Sequence, residues 1–170
     1  MSTQEHKAEA PKQVNCMVIT VSDTRTVETD KSGQLMKQLL EEAGHATRLY
    51  EIVKDEPVQV VAAIEKGLAD PDVQVILLNG GTGISPRDNT FEAVKSLLEK
   101  EIPGFGELFR MLSYTEDIGS AAILSRAVAG TRNGKAIFST PGSTGAVRLA
   151  MNKLIVPELG HVVRELNKKA

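Results

Sequence analysis

Gly80, Gly81 and Gly83 fall within four residues of one another, directly after the apolar run Val75-Ile76-Leu77-Leu78 and just before Ser85-Pro86-Arg87-Asp88. A buried strand that breaks into glycines and then enters a helix builds ligand sites at the carboxyl edge of open α/β sheets. With few Cβ atoms in the way, the loop Gly80-Gly81-Thr82-Gly83 can bring backbone N–H groups close to an anion. Arg87 adds a cation suited to phosphate and Asp88 a carboxylate suited to a metal. No Lys-Ser/Thr pair follows Gly83, so this is not a Walker A loop, and the dinucleotide fingerprint G-x-G-x-x-G is absent as well. Taken alone, the loop reads equally as a tight strand-to-helix connection.

Three other strand ends carry residues of the same kind: Ser22-Asp23-Thr24-Arg25, Lys54-Asp55-Glu56 and Pro141-Gly142-Ser143-Thr144-Gly145. In a parallel sheet these loops converge on one edge with the glycine loop. Asp55 by itself reads as a helix N-cap, and Pro141-Gly142-Ser143 as a turn followed by a cap. Together they give two anion-binding loops, the second opening a helix at Ser143, with Asp55 and Asp88 beside them. Paired carboxylates next to phosphate loops point to Mg²⁺. His6, His45 and His161 are scattered, and no His/Cys group has zinc spacing. The residues therefore reach a Mg²⁺-dependent enzyme, or a binder, acting on a phosphorylated small molecule.

The elements that would hold these loops follow from hydrophobic period. Short apolar runs predict strands over 14–21, 47–53, 73–78 and 135–139. Helical periodicity covers 32–43, 57–68, 89–98 and 143–154, with a last helix over 157–166 after a break. Such alternation predicts a three-layer α/β fold, a mostly parallel sheet with helices on both faces. Residues 101–132 do not fit the repeat and read as an inserted pair of short helices. Their apolar side chains, among them Phe105, Phe109, Met111 and Tyr114, serve either a neighbouring subunit or a large internal core.

At 170 residues the chain predicts one domain over 14–170 behind a polar tail, 1–13, expected to be disordered. A net charge of −2 gives no bulk attraction to nucleic acid, and with 4% aromatics and no Trp, base stacking is poorly served. No apolar run approaches the ~20 residues of a membrane span, and residues 1–13 lack the apolar centre of a signal peptide. The single cysteine, Cys16, lies in an apolar run and reads as a buried thiol, with a reducing cytoplasm as the expected compartment.

Six pieces occur in a telling order: Val21-Ser22-Asp23-Thr24-Arg25, Gly80-Gly81-Thr82-Gly83, Ser85-Pro86-Arg87-Asp88, Ile102-Pro103-Gly104-Phe105-Gly106-Glu107, Ile123-Leu124-Ser125-Arg126 and Pro141-Gly142-Ser143. The chain resembles the MoaB/MogA family of molybdenum cofactor biosynthesis, related to the G domains of gephyrin and its plant counterpart. The likeness runs from Val14 to the last helix, and Phe109-Arg110-Met111-Leu112-Ser113 favours the MoaB branch. It implies a three-layer fold assembled as a homotrimer or hexamer. It also implies Mg²⁺- and ATP-dependent adenylylation of the terminal phosphate of molybdopterin, releasing pyrophosphate and preparing the pterin for a MoeA-type metal-insertion protein.

Carried over by position, Asp55 and Asp88 would be the catalytic and metal-binding residues. Gly80, Gly81, Thr82, Gly83 and Arg87 would hold nucleotide phosphate, while Ser22, Asp23, Ser85, Pro141, Gly142 and Ser143 would face molybdopterin. The alternative is a carrier or assembly protein of the same pathway that binds the pterin without transferring AMP; a nucleotide-dependent oxidoreductase is disfavoured by the missing fingerprint. Two places depart from the family's pattern: Phe91 stands where proline is common, and the fourth loop reads Pro141-Gly142-Ser143-Thr144, with Ser143 and Thr144 where the other branches carry Asn or Gln and then proline.

Overall fold

The four apolar runs lie side by side in a computed structural model that describes residues 2–169. In chain order the elements are α1 (Thr3–Ala8), β1 (Asn15–Val21), α2 (Lys31–Glu42), β2 (Ala46–Val53), α3 (Pro57–Ala69), β3 (Val75–Asn79), α4 (Thr90–Leu97), β4 (Lys100–Glu101) and α5 (Pro103–Glu116). A 3₁₀ turn (Gly119–Leu124), β5 (Val128–Arg132), β6 (Lys135–Thr140), α6 (Thr144–Ala150), a π turn (Met151–Ile155) and α7 (Val156–Leu166) complete the described chain. The sheet order is β2-β1-β3-β6-β5-β4. Strands β1, β2, β3 and β6 are mutually parallel; β5 runs antiparallel to β6 and to β4.

Strands β1, β3 and β6 are buried on both faces, which is why they read as apolar runs, whereas β2, at the margin of the sheet, is only partly buried and carries Arg48 and Glu51 among its apolar residues. Along β1 the side chains alternate: Cys16 and Val18 join Met36, Leu40 and Phe109 in one core, and Met17 and Ile19 join Ile64, Ile76 and Val94 in the other. That alternation makes three layers. Burial pushes the Cys16 thiol up to about 12, so it stays protonated and inert. Register then fixes the functional edge: Val21 lies beside Val53, Thr20 beside Asn79, and Asn79 beside Thr140. Four strands therefore stop level with one another.

Residues 101–132 combine both expected uses of their apolar side chains. Phe105 and Phe109 enter the core, Phe105 meeting Phe138 edge-on at 5.2 Å between ring centroids. Leu108, Met111, Tyr114, Ile118 and Ile123 are exposed on the single chain. Instead of two short helices, the segment contains a 14-residue helix, one 3₁₀ turn and the unpredicted strand β5. Asn133 and Gly134 both have positive φ, 51° and 71°, and turn β5 into β6 as an Asn-Gly hairpin.

Two other expectations are corrected. The break before Pro157 is absent: α6 passes through the π turn directly into α7, and the wider turn lies where the helix must accommodate a residue without an N–H. The tail expected to be disordered instead contains α1, whose Ser2 and Glu5 form a reciprocal capping box. Lys7 pairs with Glu158, Glu9 with Arg164, and the Pro11 carbonyl lies over Gly160, where a Cβ would stand 2.6 Å from it. Charge matching to α7 thus supplies what the segment lacks in apolar surface. Among the described residues no helix is long and apolar enough to cross a membrane.

Candidate active site at the carboxyl edge of the sheet

Gly80 and Gly81 leave β3 with φ of +106° and +71°, a backbone region open chiefly to glycine. A Cβ on Gly80 would stand 2.2 Å from the Val21 carbonyl oxygen. One on Gly81 would stand 2.0 Å from Thr90 Oγ1 and 2.5 Å from Asp55 Oδ2. The Gly80 amide donates to the Thr140 carbonyl at 2.9 Å, and a Cβ on Gly142 would stand 3.2 Å from Gly80 Cα, so the two glycine loops are in contact. These glycines are required first by the packing of one loop on another. Whatever approach they allow to a phosphate is built on that packing.

Asp55 does not cap α3; the N-cap there is Glu56, which makes no side-chain capping bond. Its carboxylate, in a residue only 6% exposed, reaches across to the next loop and accepts from the Asn89 amide at 3.1 Å and from Thr90 Oγ1 at 3.5 Å. Burial, with the nearby charges of Asp88 and Asp23, holds the Asp55 carboxyl above the ordinary carboxylate range, partly offset by the Asn89 and Thr90 hydrogen bonds. Asp88 Oδ2 accepts from the Ser85 amide at 2.9 Å and lies against Gly83, closing the Ser85–Asp88 turn.

Asp23 is braced by a two-pronged contact from Arg87, Nε to Oδ2 and Nη2 to Oδ1, both 3.0 Å, and its Oδ1 also accepts from the Asp55 amide at 3.1 Å. The Arg87 hydrogen bonds hold the Asp23 carboxyl below its usual range. Arg87 also donates to Glu56 at 2.8 Å. Its guanidinium therefore ties three loops together and, in this conformation, is committed to carboxylates.

Ser22 turns its Oγ onto its own loop, accepting from the amides of Thr24 and Arg25. Ser143 caps α6, its Oγ accepting from the Ala146 amide at 3.1 Å. The Gly142 carbonyl accepts from Arg25 Nη2 at 2.9 Å. Behind Arg25 stands a buried polar group that the sequence did not single out. Ser32 accepts from Arg25 and donates to Asn79 Oδ1, Asn79 donates to Thr20, and Thr20 donates to Asp30, which also receives Tyr50 OH. Desolvation and the Asp30 carboxylate push the Tyr50 phenol upward, so it remains a donor. Every member finds a partner, which makes the first and fourth loops one rigid unit.

Arg126 is the second unanticipated residue. Its Nε donates to the Gly83 carbonyl and its Nη2 to the Asp88 carbonyl, both at 2.9 Å, while the guanidinium pairs with Glu92 and lies 5.0 Å from the Phe91 ring centroid. Its own amide donates to the Thr82 carbonyl at 2.8 Å. One residue thus fixes three carbonyls of the glycine loop and its continuation. Phe91, the departure from the family's pattern, supplies the aromatic face under that clamp.

Asp55 and Asp88 bring hard oxygen donors to the mouth of the glycine loop, and the electrostatic conflict between them is the kind a divalent cation relieves. The donor set suits Mg²⁺, which binds through one or two carboxylates together with substrate phosphates. Without a cation, the charged Asp55 costs stability. Because its folded-state pKa is raised, its contribution is fully present below the unfolded-state pKa and is lost as pH rises through the folded value. Asp55→Asn, which keeps Oδ1 as an acceptor, is therefore expected to raise the melting temperature of the metal-free protein at pH 7. The gain should fade toward pH 4 in thermal denaturation; an unchanged or lower melting temperature at pH 7 would contradict the strain assigned to Asp55.

All the residues expected to serve the site gather at this edge, with Arg87 turned toward Asp23 and Glu56. Comparison with known proteins gives the family of the chain. Residues 17–161 match the family model described as "Probable molybdopterin binding domain". The chain is similar to Molybdenum cofactor biosynthesis protein B of Bacillus subtilis (strain 168), 66% identical over 168 residues and covering 99% of each chain. It superposes on a crystal structure of Molybdenum cofactor biosynthesis protein B with a TM-score of 0.92 and 62% identity, over 95% of this chain and 100% of that one. The tungsten cofactor synthesizing protein MoaB from Pyrococcus furiosus aligns with a TM-score of 0.83 and 36% identity, over 94% and 100% of the two chains.

Proposed function

This chain belongs to the molybdopterin-binding domain family of molybdenum cofactor biosynthesis proteins, the MoaB/MogA family, and from that membership we propose that it transfers AMP from ATP to molybdopterin. In this reaction an oxygen of the molybdopterin terminal phosphate attacks the α-phosphorus of ATP. A new P–O–P bond forms, the bond from the α-phosphorus to the bridging oxygen breaks, and pyrophosphate leaves with that electron pair. The observation that carries the reading is the pair Asp55 and Asp88, held against the glycine loop at an edge where four strands end level.

A phosphomonoester is already ionised near neutral pH, so no side chain has to remove a proton, and the absence of histidine and cysteine from the four loops is no obstacle. Catalysis then rests on positioning and charge. The Gly80–Gly83 backbone binds nucleotide phosphate, and Ser22, Ser85 and the Pro141-Gly142-Ser143 loop line the pterin side. Asp55 and Asp88 would hold Mg²⁺, whose charge would offset the negative charge of the phosphates there. Arg87, paired with Asp23 and Glu56 in the free protein, is placed to exchange those partners for phosphate.

The adenylylated product would pass to a MoeA-type metal-insertion protein. The exposed side chains Leu108, Met111, Tyr114, Ile118 and Ile123 give copies of the chain an apolar face through which to assemble as a homotrimer or hexamer.

The test is pyrophosphate release from Mg²⁺ and ATP with and without molybdopterin. Release that requires the pterin supports the transferase; tight pterin binding without release favours a carrier. Arg126 gives a second reading of the same assay. Arg126→Ala is expected to lower kcat by about 10²-fold, the scale on which a small displacement of positioned groups acts. Arg126→Lys should not restore it, because one ammonium cannot replace a fork that reaches Gly83, Asp88 and Glu92 together. Full kcat in a folded Arg126→Lys protein would remove Arg126 from the positioning of the loop.

A further inference from the structure

His6 and His161 stand 155 positions apart in sequence, yet the docking of α1 on α7 brings their rings to 5.8 Å between centroids, edge to face. Glu165, one turn beyond His161 on α7, completes the group: His6 Nδ1 lies 3.1 Å and His161 Nε2 3.7 Å from Glu165 Oε1. One potential ligand atom from each of the three lies within 4.8 Å of the other two. We propose that His6, His161 and Glu165 form a binding site for a late first-row divalent cation, Zn²⁺ in the first instance, which fastens the N-terminal helix to the last one.

The chemistry of the set supports this. Two imidazoles and one carboxylate, with a position left for water, are an established zinc donor set. Bond lengths of about 2.0–2.2 Å put neighbouring ligand atoms of a tetrahedral shell about 3.3 Å apart, which the two measured separations bracket. Glu158 supplies the outer partner: its Oε2 lies 2.9 Å from His161 Nδ1, so the ring can give its Nδ1 proton to Glu158 and keep the Nε2 lone pair toward Glu165. Lys168 contacts Glu165 at 2.8 Å, Arg164 contacts it at 3.3 Å, and Lys7 contacts Glu158. Lys168 and Lys7 are partly exposed, and surface pairs of this kind are displaced at little cost. The His and Glu side chains are themselves only 20–40% exposed, and none belongs to the four loops of the catalytic edge.

Titration of the full, tag-free chain with Zn²⁺ by calorimetry, and with Co²⁺ by visible absorption, tests the site. One Zn²⁺ per chain is expected, with tetrahedral Co²⁺ bands. Affinity should fall by more than about 10²-fold in His161→Ala and in His6→Ala, and by about 10–10²-fold in Glu158→Gln, the range found for outer partners of a ligating histidine. In hydrogen exchange, Zn²⁺ should slow the amides of residues 3–8 in the wild-type chain and not in His161→Ala. His6 lies outside both core clusters, so His6→Ala reads the site without disturbing the fold. Absence of Zn²⁺ binding, equal binding by wild type and the His6→Ala variant, or binding abolished only by Asp55→Asn or Asp88→Asn would overturn the proposal.

Discussion

Asp88→Asn is expected to yield a folded protein whose pterin-dependent pyrophosphate release is at least about 10²-fold slower, the cost of losing one well-placed electrostatic group in an active site. The fold should survive because asparagine keeps a side-chain oxygen that can accept the Ser85 amide and close the same turn. What disappears is the negative charge beside the glycine loop, and with it half of the carboxylate pair that suits Mg²⁺. The loss should fall on kcat and on the Mg²⁺ concentration needed for half-maximal rate, with molybdopterin affinity almost unchanged. Wild-type turnover in a variant of unaltered melting temperature would sink the catalytic assignment of Asp88.

Gly80→Ala is expected to do most damage to the fold itself. The new Cβ would face the Val21 carbonyl at 2.2 Å, and that oxygen belongs to the end of a central strand. A residue with a side chain at φ +106° adds strain of about 1–3 kcal/mol before the collision is counted. A total loss of at least about 3 kcal/mol, or roughly 6–12 °C in melting temperature, follows. Gly104→Ala is the matched control. It lies in the first turn of α5, a Cβ there meets nothing within 4 Å, and the change should leave stability equal or slightly higher. Equal melting temperatures for Gly80→Ala and wild type would show that the loop does not take the conformation described.

The legible parts of this protein are those encoded locally. The β1, β3 and β6 runs are apolar because both faces are covered, β2 at the margin keeps only a partly buried pattern, and the Gly80-Gly81 break after Asn79 marks where β3 must end. Strand β5 escaped because Gly130 looks like a loop residue. It is glycine because the Lys100 carbonyl crosses where a Cβ would stand, 2.3 Å away. The Asn133-Gly134 pair was the available signal for that hairpin.

Arg126 and Asp30 could not be read in the same way. The Gly83 carbonyl lies 43 positions from Arg126, and Asp30 gathers partners from β1, β2 and the loop before α2. Such residues look like ordinary surface charges until the sheet order brings their partners together. The α1 helix failed for a related reason. Its capping box is local, but the charges that hold it sit on α7 at the other end of the chain.

The two margins of the sheet carry a consequence for self-association. One margin is β4, only Lys100 and Glu101, too short and too charged to template another strand. The other is β2, where Arg48 is paired with Asp70 and Asp72, and Glu51 with Lys66. A chain with margins of this kind resists growth by edge-to-edge strand addition, the route to fibres. The exposed apolar side chains of α5, Leu108, Met111 and Tyr114, are therefore better suited than either margin of the sheet to contact between copies of the chain.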